Sequence, residues 1–156
     1  MKLKDNVQMW LKTSLNDPIA KILAESSHLT KTQLETLLID VLSEDMSAKP
    51  LKYDEKAKLR LTKAEISRGA FNRTLKQSKE NVTRSIYTVL LLGYLGIFES
   101  TTLDPYLGIA NKLQEYIEAH KNTHNQDTEH LKIMKIMRED LETSLKNLTN
   151  PSGQRV

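Results

Sequence analysis

Arg68, Asn72, Arg73, Lys76 and Lys79 fall within twelve consecutive residues, and their side chains are the kinds that read and hold nucleic acid. An arginine bonds guanine O6 and N7 in a bidentate fork, and an asparagine does the same to adenine. Each good pair is worth about 1–3 kcal/mol of discrimination. Lysines suit phosphates, and neutralising phosphates makes affinity fall as salt rises. If a helix begins at Ser67, then Asn72, Lys76, Lys79 and Thr83 recur at steps of four, three and four on one face, with Arg73 and Glu80 beside it. Arg68 then lies in the first turn, where a recognition helix meets base edges. The helix start itself offers unpaired N–H groups to a phosphate. Phe71, Leu75, Val82 and Ile86 share the other side and would anchor the helix. The spacing therefore predicts base contacts from Arg68, Asn72 and Arg73, and phosphate contacts from Lys63, Ser67, Lys76, Lys79 and Arg84.

Charge distribution points the same way. The 156 residues carry a net charge of +3, but residues 49–84 hold eleven Lys/Arg against four Asp/Glu, 11 − 4 = +7. Residues 1–48 (5 − 7) and 85–156 (7 − 9) are each at −2. A polyanion such as double-stranded DNA is the partner this concentration predicts. A solvated lysine-rich surface, or a basic stripe that meets an acidic protein partner, is the rival reading. Single-stranded RNA is disfavoured, because the basic segment has only Tyr53 and Phe71 to stack bases.

Other chemistry finds little footing. His120, His124 and His130 would need a further ligand and supporting partners to hold a metal, and they read as surface histidines. Glu44-Asp45 and Glu139-Asp140 are adjacent pairs, whose side chains diverge on a helix. There is no cysteine, glycine-rich phosphate loop or nucleophile elbow. No catalytic residue, metal, cofactor or small-molecule ligand is expected, and the chain is not read as an enzyme. Its start lacks the apolar core of a signal peptide. The longest apolar stretch, Ile86–Phe98, is 13 residues, short of the roughly 20 that a membrane span needs. A cytoplasmic, nucleoid-associated location and no membrane partner are the expectation.

These side chains must be positioned by helices. Pro18, Pro50, Pro105 and Pro151 punctuate the chain where helices start or stop. Leu3, Val7, Trp10, Leu11 and Leu15 share a face of the first helix, with Trp10 read as a packing residue. Asp17-Pro18 opens a second, with Ile19, Ile22 and Leu23. Thr30 caps a third, striped by Leu34, Leu37, Leu38, Val41 and Leu42. A short helix at 52–61 turns Tyr53, Ala57 and Leu59 inward. The Ser67 helix runs to about Gly93–Gly96, and its last part is apolar nearly all round, a pattern that calls for burial, either as the central helix of one domain or in part by a second copy. Pro105 opens another helix, with Tyr106, Ile109, Leu113, Tyr116 and Ile117. The last, 128–148, places Leu131, Met134, Leu141, Leu145 and Leu148 on a seam of three- and four-residue steps, with Arg138 at the remaining position. That seam predicts a homodimer or a bundle contact, with Glu142 or Glu139 neutralising Arg138.

The fold class expected is all-α with six or seven helices: bracing helices at 1–28, a helix-turn-helix module with a long central helix at 29–98, a helical assembly region at 99–149 and a tail at 150–156. Three pieces carry a family likeness: Leu29-Thr-Lys-Thr-Gln-Leu-Glu-Thr-Leu-Leu, then Leu51-Lys-Tyr-Asp-Glu-Lys-Ala, then Ile66-Ser-Arg-Gly-Ala-Phe. In this order they resemble the helix-turn-helix of sigma factor region four and of the Tfx-type archaeal regulators. The likeness covers residues 29–82 and implies a sequence-specific DNA-binding transcriptional regulator. In that family a single glycine usually precedes the Ile-Ser pair; here Leu61-Thr-Lys-Ala-Glu65 intervenes, which lengthens the turn or extends the helix before it.

Overall fold

The computed structural model describes the backbone of residues 2–62, 66–97, 104–122 and 128–149, and every side chain within these except 104–106, 122, 129 and 147–149. The described residues form an all-α structure of seven helices: α1 (Leu3–Asn16), α2 (Pro18–Glu25), α3 (Lys31–Met46), α4 (Tyr53–Ala57), α5 (Arg68–Tyr94), α6 (Asp104–Asn122) and α7 (Thr128–Thr149). No helix among them is long and apolar enough to cross a membrane.

Local chemistry sets most of the boundaries. Asp17 accepts a hydrogen bond from the Ala20 amide at 2.8 Å and Pro18 takes the first position of α2. Thr30 and Gln33 satisfy each other's backbone amides at 3.2 and 3.0 Å, a capping box that opens α3. Ser67 Oγ accepts from the Ala70 amide at 3.1 Å and so starts α5 where its spacing predicts. That helix stops on Gly96, the one described residue with positive φ (72°). There the Ile97 and Gly96 amides reach back to the carbonyls of Leu92 and Gly93, the Schellman arrangement that satisfies the last turn.

The fold divides into two compact units, Met1–Ser85 and Ile86–Val156. In the first, Val7 and Leu11 of α1, Ile39 and Leu42 of α3, Ala57 and Leu59, and Phe71 and Leu75 of α5 form one buried cluster. Tyr53 stands against Phe71, ring centroids 6.4 Å apart. The boundary differs from the 98/99 break read from the sequence. Among the described α5 residues only Phe71, Leu75 and Ser78 are buried, so the helix leaves the first core well before it ends.

Several inward faces are rotated from expectation. Trp10 and Leu23 are exposed, at 38 and 40%. On α3, Val41 faces water at 58% while Glu35, Thr36, Asp40 and Ser43 are buried. The reason is that α3 is bonded on several sides at once, so its buried surface is not a single leucine stripe. The α5 tail departs most: Val82 and Ile86 are exposed at 42 and 57% instead of anchoring the helix.

In the second unit α6 and α7 pack against each other. The buried residues of α7 are His130, Met134, Met137 and Leu141, at steps of four, three and four. Of the expected seam, Met134 and Leu141 are buried within the single chain, while Leu131 and Leu145 are exposed at 69 and 43% and Arg138 is exposed. The Leu148 side chain lies outside the described residues. Tyr116 of α6 donates its hydroxyl to Asp140 of α7. That bond first, then burial and the negative charges of Asp140 and Glu115, push the phenol up to about 12.

Candidate nucleic-acid interface

Phe71, fully buried, and Leu75, 3% exposed, fix one side of the α5 N-terminal half to the core. A helix turns about 100° per residue, so Arg73 and Lys76 lie on the far side and Asn72, one turn before Lys76, on the flank. All three are exposed, as is Arg68 in the first turn. The first turn is also open at Gly69, where a β-carbon would meet nothing nearer than Ser67 Oγ at 4.0 Å. Ser67 itself is exposed but spends its oxygen as the cap. Arg84 is exposed further along. Lys63 lies outside the described residues.

Lys79 has a partner within the fold. Its Nζ sits 2.8 Å from Asp40 Oδ2, although the side chain is 58% exposed. The other carboxylate oxygen of Asp40 takes Lys56 Nζ at 2.7 Å, with Glu44 at 3.3 Å from the same ammonium. One acid on α3 thus ties down α4 and α5 together. Burial pushes the Asp40 carboxyl up, but the bonds and charges of Lys56 and Lys79 outweigh it and hold the group below its ordinary 3.8. Burial likewise pushes Lys56 down, and Asp40 and Glu44 reverse the effect to leave it above 10.5. Lys79 is therefore also a strut between helices.

The segment after α4 is held as firmly. Arg60, 4% exposed, donates from Nη2 to Thr36 Oγ1 at 2.7 Å and to the Thr32 carbonyl at 3.2 Å. The fully buried Glu35 accepts from the Leu61 amide at 2.5 Å and from Thr62 Oγ1 at 2.8 Å. Gln8 of α1 donates to the Arg60 carbonyl at 3.2 Å. From α5, Ser78 Oγ bonds the Gln33 carbonyl at 3.2 Å and Asn81 Nδ2 bonds Gln33 Oε1 at 3.3 Å. Sequence reasoning missed Glu35, Asp40, Lys56 and Arg60, whose partners lie 16 to 28 residues away. No local pattern marks them.

These internal roles thin the positive field. Of the eleven cations in 49–84, Lys56 and Arg60 are buried and Lys63 is outside the described residues, leaving eight that are exposed, Lys79 among them with its pair to Asp40. Five of the eight (Arg68, Arg73, Lys76, Lys79 and Arg84) belong to α5.

Two other places bring polar side chains together. A cleft of about 540 Å³ lies among α1, α2, α3 and Leu61–Thr62, with Leu15, Leu29 and Leu34 in its lining and Lys12, Lys21 and Lys31 also facing it. Among the described residues that lining carries no histidine and no pair of carboxylates. In the second unit the rings of His120 and His130 stand 4.8 Å apart; His124 lies outside the described residues. His130 is thus buried, not the surface histidine its polar surroundings in sequence predict. No group of three metal-ligating side chains occurs among the described residues. Comparison with protein-family models, with curated proteins and with solved structures returns no match for this chain.

Proposed function

We propose that the chain is a sequence-specific double-stranded DNA-binding protein, a transcriptional regulator, whose contact surface is the exposed side of the α5 N-terminal half. The observation that carries the reading is the division of that half-helix. Phe71 and Leu75 lock one side into the core while Arg73 and Lys76 stand on the far side, Asn72 on the flank, and Arg68 is exposed at the first turn. In this reading Arg68, Asn72 and Arg73 meet base edges, and Lys76, Arg84, Lys63 and the first-turn amides meet phosphates. The sigma-factor and Tfx-type likeness of residues 29–82 supports the same assignment, as does the acid that joins α3, α4 and α5 into one body.

Titration of duplex DNA across salt tests this. Log affinity should fall linearly with log salt, and a slope near zero removes the proposal. Arg68→Ala should cost about 1–3 kcal/mol of binding and relax preference at one base pair, whereas Lys76→Ala should weaken all sequences alike. Selection of bound duplexes from a random pool reads affinity and preference together.

A second reading has one observation in its favour. Ten residues, 58–67, separate α4 from α5, against the three- or four-residue turn of a helix-turn-helix. A basic helix face held in another geometry suits an acidic protein partner, and the chain would then be a helical interaction module. Binding that survives nuclease treatment and ignores duplex DNA is the result that selects it.

A further inference from the structure

From Ser85 to Ile97 the chain carries no charged residue, yet this part of α5 is the most exposed apolar surface of the described structure. Ile86, Tyr87, Leu90, Leu91 and Tyr94 are 57, 69, 57, 55 and 85% exposed, and Ile97 just beyond them 39%. At about 100° per residue the five on the helix lie within one arc of about 140°.

The size of this face says what covers it. The largest apolar patch on a typical monomer is about 300–600 Å². The six side chains expose on the order of 800 Å², which is one partner's share of a standard interface. Tyr87, Leu90, Tyr94 and Ile97 follow steps of three, four and three, the spacing at which two helices share a seam. With no charge along the stripe, two identical copies meet without repulsion, and a two-fold axis lets the same residues serve both sides. A lipid surface is less well matched. An interfacial helix sets its apolar side against a lysine- and arginine-rich one, and residues 85–97 contain neither type.

We propose that residues 86–97 form a homodimer seam, occupied by the same segment of a second copy of this chain. The seam lies on α5, not on the α7 leucines, and it forms without nucleic acid, so it stands or falls apart from the DNA-binding reading.

Sedimentation equilibrium of the full, nuclease-treated chain at micromolar concentration tests it. The expected species is a pair of 17.9 kDa chains. Leu90→Glu with Tyr94→Glu should raise the dimer dissociation constant by about a hundredfold, as loss of a seam centre does, while helicity by circular dichroism stays unchanged. Leu131→Glu on α7 should leave the dimer intact. Leu90→Cys, near the middle of the stripe, should yield an interchain disulfide on oxidation in either helix orientation. A monomeric wild type, a dimer that persists in the double variant, or a dimer lost through Leu131→Glu would each overturn the proposal. So would a monomer that co-sediments with phosphatidylcholine–phosphatidylglycerol vesicles, which would make lipid the occupant.

Discussion

The two halves of α5 share one helix and little else. Before Ser78 the helix buries Phe71 and Leu75, is capped by Ser67 and is bonded to α3 through Asp40 and Gln33. After it, a run richer in apolar residues than any other in the chain stands in water. Burial therefore follows the polar attachments here more closely than it follows hydrophobicity. The half with cations on its surface is fixed, and the half with leucines is bare. A helix acquires a core side only where another element is anchored beside it, and on α5 the buried side chains end at Ser78 among the described residues.

The largest effect that separates the halves is a matched pair of truncations. Phe71→Ala should cost about 3–5 kcal/mol by emptying a closed site. Leu90→Ala should stay within about 0.5 kcal/mol when the chain is dilute enough to be monomeric. Urea unfolding of both variants reads the contrast, and a Leu90→Ala loss as large as that of Phe71→Ala would abolish it.

Asp40→Ala comes next. It leaves the Lys56 ammonium buried with only Glu44 beside it, and breaking one side of such a pair costs about 3–5 kcal/mol. Lys79→Ala removes the exposed partner and should cost about 1 kcal/mol or less. Near-equal losses for the two would show that Asp40 does not discriminate between its lysines.

The same network predicts a pH response confined to the first unit. Asp40 is held below 3.8, so the stability it contributes is present above that value and is lost as pH falls through the lower one. Lys56 is held above 10.5, so its contribution is complete below 10.5 and is lost as pH rises beyond it. Tyr116 in the second unit should keep its bond to Asp140 until pH reaches about 12, while the stability the bond contributes fades from pH 10 upward, visible as a late tyrosinate absorbance step that Tyr116→Phe removes. Thermal melts of Asp40→Asn should lack the acid-side fall seen in the wild type.

The smallest effect is the most discriminating for the proposed interface. Gly69→Ala has room and helical backbone, so it should stabilise α5 by about 0.5–1 kcal/mol. If a phosphate approaches the first-turn amides, the added methyl should at the same time weaken duplex binding. Unchanged affinity in that variant would take the first turn out of the contact surface.

Much of the scaffold was readable before any coordinates. Asp17-Pro18, Thr30 with Gln33, and Ser67 state their helix starts in the local chemistry of capping, and Val7, Leu11, Phe71 and Leu75 fall where periodicity puts them. The polar interior was not readable, because Asp40 and Lys56 are sixteen positions apart and only the folded chain makes them neighbours. On α7 the buried stripe shares Met134 and Leu141 with the leucine seam, but His130 and Met137 are buried where the seam had Leu131 and Arg138, because leucine was weighted over histidine and methionine. Periodicity also tells which α5 side chains share a face but not whether anything lies against it. That is why the tail was expected inside and stands outside. At the candidate interface, exposure of Arg68, Asn72 and Arg73 followed from the position of Phe71, whereas the capture of Lys79 by Asp40 did not.

The carboxylate shared between Lys56 and Lys79 also constrains descent. Among relatives of this chain, positions 40 and 56 should change together or not at all, since a lineage that drops the acid must shed the enclosed ammonium in the same step or lose the fold. Position 79, open to water, is free to drift alone. An alignment in which 40 and 56 vary independently would mean that the fold inherits its stability from somewhere other than this acid.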